Sequence, residues 1–175
     1  MNVLTCVRVE RPAGQLAHGA QRTGRIYADF VVDGVPLGPR MRQVQDLIGR
    51  LGWGPMRWRK EALATLLLQG DADFPPNRRA LYVCAECGDL ACGTVTAAME
   101  RHGDEVVWRD FNYETEIDPP LSVAPLSGLG PFSFRWPDYE RALHEAGEFS
   151  PPDPDVSKRP WWKRRFWPWR RLTSG

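Results

Sequence analysis

Alternating apolar and polar positions predict strands in the first part of the chain. Residues 3–10 alternate with a period of two, and residues 26–32 form a second strand-like run. Asp33 and Gly34 follow, before the short apolar segment 35–37. Asp-Gly between two apolar runs predicts a hairpin with a type I′ turn, in which both central residues have positive φ. Because Pro36 has no N–H to donate, we expect the second strand of this hairpin at a sheet edge.

Helical spacing of apolar residues predicts two or three helices. Such residues recur every three or four positions in segments 41–51, 58–69 and 137–146. Gly70 and Gly147 follow the second and third segments, where glycine is suited to the position just after a helix.

Three consecutive strand-like segments, 81–83, 94–99 and 105–111, predict an antiparallel meander, and residues 132–136 predict one more short strand. Strands and helices are grouped along the chain instead of alternating regularly. This order favours an α+β fold with a mostly antiparallel sheet and the helices packed on it. The connecting segments predicted to be loops or linkers are 11–24, 53–58, 71–79 and 112–130.

The turn between the first two meander strands contains three of the four cysteines. Cys84, Cys87 and Cys92 have the spacing C-x2-C-x4-C, and Gly88 and Gly93 permit the bends that return Cys92 toward the other two. Structural zinc sites are built from thiolate and imidazole ligands, usually four. The turn therefore predicts a candidate zinc site with three of its ligands.

The fourth ligand has several candidates. Cys6 is favoured if the first strand lies beside the cysteine hairpin. Glu86 and Asp89 lie within the turn itself. His102 follows Cys92 by ten residues along a predicted strand, and at about 3.3 Å per residue that separation is too long unless the strand folds back.

Other interpretations of the cysteines stay open. The thiols could pack without a metal, or form an iron–sulfur site, although the spacing is the reverse of the plant-type ferredoxin arrangement. A thiol-dependent oxidoreductase using Cys84 or Cys87 is a further alternative. In such enzymes C-x-x-C normally sits at the start of a helix, whereas here a glycine and a strand follow. No catalytic residue is assigned.

Charge separates the end of the chain from the remainder. Residues 156–175 contain seven basic residues and no acid, while the remaining 155 residues contain 16 basic and 22 acidic residues. A proline-rich linker, 150–157, separates a predicted single domain, 1–149, from a tail, 158–175. The tail interleaves aromatic and cationic side chains, and its candidate contact residues are Trp161, Trp162, Lys163, Arg164, Arg165, Phe166, Trp167, Trp169, Arg170 and Arg171.

This composition favours three partners for the tail. Tryptophan prefers the membrane interface and arginine pairs with anionic headgroups, so the tail is predicted to adhere to an anionic membrane surface. Docking on the acidic body of the same chain has comparable support. Nucleic acid is the weaker alternative, with cations along the phosphates and aromatic rings stacked on bases.

Several motifs resemble those of a small bacterial protein family that has no established function. The resemblance lies in residues 81–93 (LYVCAECGDLACG), 106–111 (VVWRDF), 130–134 (GPFSF) and 139–143 (YERAL), and it covers roughly positions 25–145. It implies one domain with a set architecture and transfers no catalytic residue. Some similar proteins carry a generic oxidoreductase label that corresponds to no residue here.

Other common chemistries find no support. His18 and His144 have no neighbours that suggest a catalytic triad, and the motifs of P-loop, dinucleotide-binding and zinc-protease proteins do not occur. The start of the chain has no secretory pattern, and no apolar run approaches about 20 residues. The sequence thus predicts a cytoplasmic, non-enzymatic binding or interaction domain with an unknown protein partner, reduced thiols and a peripheral membrane contact.

Overall fold

The computed structural model describes residues 1–15, 19–115 and 124–149. These residues form ten strands, three helices and two 3₁₀ turns, Leu90–Cys92 and Ala124–Leu126. In chain order the strands and helices are β1 (Leu4–Arg11), β2 (Gly14–Gln15), β3 (Gln21–Arg22), β4 (Arg25–Val32), β5 (Val35–Pro36), α1 (Gly38–Met41), β6 (Leu47–Gly49), α2 (Met56–Leu66), β7 (Arg78–Cys84), β8 (Thr94–His102), β9 (Glu105–Glu114), β10 (Phe132–Arg135) and α3 (Trp136–Gly147).

All pairings between these strands are antiparallel. One sheet has the order β1-β4-β5, a second has the order β10-β9-β8-β7-β6, and β2 pairs with β3 in a small ribbon. The predicted α+β fold is confirmed, and so is the meander, now β7-β8-β9. The predicted domain boundary near residue 150 lies outside the described residues.

The β4–β5 hairpin has the predicted turn. Asp33 has φ of 50° and Gly34 has φ of 79°, as a type I′ turn requires. β5, which contains Pro36, is at the edge of its sheet, so the missing N–H disrupts no inner pairing.

The helix predicted over residues 41–51 is wrong. α1 ends at Met41, and Leu47–Gly49 forms strand β6, which pairs with β7. The reason lies in the packing of two neighbouring residues. Leu47 packs in the main core, whereas Ile48 packs in a second cluster. Successive side chains on opposite faces are the signature of a strand, and the helical spacing here arises because both faces are buried.

The other two helices are confirmed with shifted ends. α2 runs from Met56 to Leu66, so the prediction that Gly70 follows the helix directly is wrong. The positive φ after α2 belongs to Leu68, at 58°. α3 includes Gly147, and Trp136 begins this helix instead of ending the preceding strand.

All four predicted loops or linkers are partly regular structure, and α2 begins at Met56 within segment 53–58. The segment 11–24 contains the β2–β3 ribbon, β7 begins at Arg78 within segment 71–79, and β9 extends to Glu114 within segment 112–130. The two-residue strands of the ribbon and the polar ends of β7 and β9 give little apolar alternation for a sequence pattern to detect.

Two hydrophobic clusters form the interior of the part of the chain that the structure describes. The main core joins residues of both larger sheets with α2 and α3, and Trp108 lies at its centre, edge-on to Phe30, Phe134 and Tyr139 at centroid distances of 5.6, 5.0 and 5.8 Å. The second cluster is smaller and adjoins the cysteine turn. It consists of Tyr27, Ile48, Trp53, Ala80, Val83 and Ala85, with Val9 and Leu90 packed against it.

Candidate metal site in the β7–β8 turn

The cysteine turn begins where β7 ends, at Cys84. The N–H of Gly88 donates to the carbonyl of Cys84 at 2.9 Å, and Gly88 has φ of 68°, a conformation that favours glycine. The carboxylate of Asp89 then accepts from the N–H of Ala91 at 3.0 Å and caps the 3₁₀ turn that carries Cys92. Two short turns in succession thus return Cys92 toward the end of β7.

The three cysteines of the turn come together. The sulfur atoms of Cys84, Cys87 and Cys92 all lie within 4.8 Å of one another. Cys84 is buried, while Cys87 and Cys92 are exposed, and all three are free thiols. One face of the cluster is therefore set into the fold and the other meets solvent.

The surroundings of the cluster stabilise one thiolate. Burial opposes ionisation of Cys84, but backbone hydrogen bonds from Cys87 and Glu86 and side-chain hydrogen bonds from Cys92 and Cys87 outweigh it, so the pKa of Cys84 is lowered. The hydrogen bond to Cys84, followed by burial, raises the pKa of Cys92 to about 12. The backbone N–H of Asp89 also points at the sulfur of Cys87, at 3.5 Å. Hydrogen bonds within the cluster thus favour the thiolate at Cys84 and the protonated thiol at Cys92.

The carboxylate of Glu86, a candidate fourth ligand, is already engaged. It accepts from Arg11 at 2.6 Å and from the N–H of Thr23 at 3.2 Å, and the pKa of Glu86 is lowered to about 2 by Thr23 and then by Arg11. Arg11 is itself buried and also pairs with Asp46 at 2.6 Å. This network fixes the base of the turn to the β1–β4 side of the fold.

The other candidates for the fourth ligand are distributed over the fold. Cys6 lies on β1 opposite Phe30 and packs against the main core. Burial, then the charges of Asp29 and Glu145, raise the pKa of Cys6 to about 12. His102 ends β8 and lies 3.5 Å from Glu100. Among the described His, Cys, Asp and Glu residues, the cluster of potential ligands consists of the three turn cysteines and includes neither Cys6 nor His102.

Sequence reasoning missed two residues beside Gly93, Tyr113 on β9 and Gln45 between α1 and β6. The hydroxyl of Tyr113 donates to the side-chain oxygen of Gln45 next to Gly93, where a Cβ atom would collide with both groups. Burial, then the negative charge that Cys92 and Cys84 carry when ionised, raises the pKa of Tyr113. Register places this tyrosine opposite Val95, and the sequence carries no signal of that pairing.

Sequence reasoning also missed a tryptophan pair in a segment predicted to be a linker. Trp53 and Trp58 pack against Gly88, where an added Cβ would lie 2.6 Å from Cη2 of Trp53. Glycine at position 88 therefore permits two features of the turn: a positive φ and the close approach of Trp53.

The candidate contact residues of the tail lie outside the described residues. They are Trp161, Trp162, Lys163, Arg164, Arg165, Phe166, Trp167, Trp169, Arg170 and Arg171. Within the described ranges, none of the helices has both the length and the apolar character needed to cross a bilayer.

Comparison with protein-family models, with curated proteins and with solved structures finds no match to this chain.

Proposed function

We propose that Cys84, Cys87 and Cys92 bind one zinc ion, and that the protein is a non-enzymatic binding or interaction domain in which this ion is structural. The observation that carries the proposal is the mutual approach of the three sulfur atoms to within 4.8 Å. Zn–S bonds of about 2.3 Å in a tetrahedral site separate the sulfurs by roughly 3.8 Å. Small side-chain rotations would therefore complete the ligand geometry.

The donor set supports zinc over harder cations. Thiolates are soft ligands that select zinc, copper(I) or iron–sulfur clusters, whereas magnesium and calcium prefer oxygen. The N–H groups directed at Cys84 and Cys87 also favour the deprotonated form that a metal requires. Water, or a residue outside the described ranges, would supply the fourth ligand.

A metal here would have a structural consequence. Cys84 ends a strand in the interior of the five-stranded sheet, and Cys92 lies two residues before the next strand. A single ion bound by both would fix the β7–β8 connection, which contains two positive-φ glycines. Binding energy then contributes to folding energy.

The lowered pKa of Cys84 favours a second candidate, a thiol-dependent oxidoreductase using Cys84 and Cys87. Cys87 is exposed and would meet a substrate, while Cys84 is buried behind it. This function requires that the purified protein carry free thiols and that one of them react rapidly at neutral pH.

The tail stays a prediction. Its tryptophans and arginines favour adhesion to anionic lipid, with nucleic acid as the alternative. The full chain should bind vesicles with anionic lipid and not purely zwitterionic ones, and Trp161→Ala with Trp162→Ala should weaken this binding. Tighter binding to a single-stranded oligonucleotide than to anionic vesicles, at equal salt, would contradict membrane adhesion.

Cobalt substitution tests the metal proposal. Co²⁺ added to the reduced, metal-free full chain should give sulfur-to-cobalt charge-transfer absorption that saturates at one equivalent and disappears when zinc is added. Cys84→Ala, Cys87→Ala and Cys92→Ala should each reduce this absorption.

Cys6→Ala is the matched control for these variants, because Cys6 is a cysteine outside the cluster, and it should leave the absorption unchanged. An equal loss in all four variants, or no charge-transfer absorption at all, would contradict the proposed site.

A further inference from the structure

A cavity of about 300 Å³ adjoins the metal site. It lies between the start of α2 and the cysteine turn, and its walls include Trp53, Trp58, Val83, Leu90 and Cys87. This volume is at the lower end of small-molecule sites, which range over about 300–1,000 Å³.

Two indole rings form the aromatic wall. Trp53 and Trp58 lie edge to face, with centroids 6.1 Å apart and planes at 79°. Trp53 is 6% exposed, and its indole N–H, although buried, has no hydrogen-bond partner in the described part of the chain. Trp58 is 47% exposed, so the mouth of the cavity is open to solvent on its side.

The aromatic wall already attracts one guanidinium group. The Cζ atom of Arg25 lies 5.1 Å from the ring centroid of Trp53, while its N–H groups donate to the carbonyls of Ala85 and Glu86. Arg25 does not line the cavity. The Trp53–Trp58 pair is therefore available there to a second cation.

The charges that line the cavity favour a cation. Arg50 is neutralised by Asp73 at 2.5 Å. Glu61 is paired with the exposed Arg57, whereas Asp89 has no ion pair among the described residues. Three thiolates on one zinc ion, including that of Cys87, would add a net charge of about −1 next to the cavity.

We infer that this cavity binds an organic cation of the guanidinium class, such as an arginine side chain. The indole pair receives the face of the cation, and the Asp89 carboxylate faces its N–H groups. The inference rests on the proposed function in one respect, since it names the ligand class of the binding domain. The indole pair and Asp89 are present with or without a metal.

The experiment is a titration of the ¹⁵N-labelled, zinc-loaded full chain with arginine amide, followed by NMR. Citrulline amide is the matched probe with an uncharged side chain, because urea replaces guanidinium on a chain of the same length and the α-amino group is common to both. The indole N–H signals of Trp53 and Trp58 and the amide of Gly88 should shift and saturate. Citrulline amide should bind about tenfold more weakly.

Two variants locate the binding. Asp89→Asn keeps an oxygen that can accept from Ala91 and removes only the charge, so it should weaken arginine amide binding several-fold. Trp58→Leu should weaken it by a similar factor. Asp104→Asn, in the β8–β9 turn, removes a carboxylate remote from the cavity and should have no effect.

Equal affinity for the two amides would overturn the inference, and so would unchanged affinity in both cavity variants. A titration after chelation separates this result from the metal proposal. If the metal-free protein still prefers arginine amide, the cation site exists and does not depend on zinc. If the zinc-loaded protein does not prefer arginine amide, the metal site stands and the cation site is ruled out.

Discussion

Cys6 and Cys84 are both strand cysteines shielded by the fold, yet the structure shifts their pKa values in opposite directions. Cys6 lies against the main core, where burial raises its pKa to about 12. Cys84 ends β7, where backbone and thiol hydrogen bonds outweigh burial and lower its pKa. Burial alone therefore does not decide how readily a thiol ionises, because hydrogen bonds accepted by the sulfur can outweigh it.

The strongest test of this contrast compares zinc-dependent stability in two variants. Zinc at about 100 times its dissociation constant should raise the free energy of unfolding of the native chain by about 2.7 kcal/mol. Cys84→Ser should abolish that increment, whereas Cys6→Ala should keep it even if its overall stability is lower. Urea titrations with and without zinc measure the increment. If Cys6→Ala abolished it as well, the contrast would be wrong.

The shape of the turn can be tested with two glycines of similar φ. Gly88 has φ of 68° and Gly103 has φ of 62°, but a Cβ at Gly88 would meet Trp53 whereas one at Gly103 would meet nothing within 4 Å. Gly88→Ala should cost about 1–3 kcal/mol more than Gly103→Ala, because the strain of a positive φ is common to both variants and only Gly88→Ala adds a collision with Trp53. Chemical denaturation checks the difference. Equal costs would show that the tryptophan contact is unimportant.

The protons released when zinc binds make zinc affinity depend on pH, and this dependence tests the role of Cys92. Cys92 has a pKa raised to about 12, mainly by its hydrogen bond to Cys84, so it is protonated at neutral pH and must lose that proton to bind zinc. Zinc affinity should therefore rise at least about tenfold per pH unit near neutrality. Calorimetry in buffers of different ionisation enthalpy measures the protons released. A pH-independent affinity would contradict thiolate binding.

The raised pKa of Cys6 predicts that the stability of the fold itself decreases at high pH. Its folded pKa, about 12, is above the ordinary value of 9.0, so its contribution to stability is complete below pH 9 and is lost as the pH rises toward 12. Cys6→Ala should flatten this decline in stability. Unfolding measured at pH 8 and pH 10 provides the test, and an identical decline in the variant would contradict the assignment.

The smallest expected effect concerns the network at the base of the turn. The folded pKa of Glu86 is lowered to about 2 from 4.5, so its contribution is present above pH 4.5 and is lost as the pH falls toward 2. Because the Glu86 side chain is 38% exposed, Glu86→Gln should cost less than about 1 kcal/mol at pH 6. Stability of the variant at pH 6 and pH 3 measures this. A larger loss at pH 3 than at pH 6 would contradict the sign.

The sequence predicted the local part of the site and missed the long-range part. The spacing of Cys84, Cys87 and Cys92, with the glycines of the turn, is a property of ten residues, and such a turn closes through contacts between near neighbours. Tyr113 reaches the site through the register of β8 and β9. Trp53 does so through the packing of a segment that has no periodicity. Neither relationship leaves a pattern in one sequence.

The same reasoning explains why the fold class was predictable and segment 41–51 was not. Strand alternation and the Asp33–Gly34 turn are local signals, and together they indicated antiparallel sheets. Leu47 and Ile48 are buried on opposite faces of β6, between two clusters. With both faces apolar, the period of two that distinguishes a strand disappears.

Metal content tests the central proposal most directly. The full chain, purified under reducing conditions without added metal, should contain about one zinc ion per molecule. Three thiols should become reactive only after a chelator is added, and the fourth, Cys6, should react only on unfolding. Metal-free protein in which the turn cysteines react at once, and which takes up no zinc when it is supplied, would contradict the account.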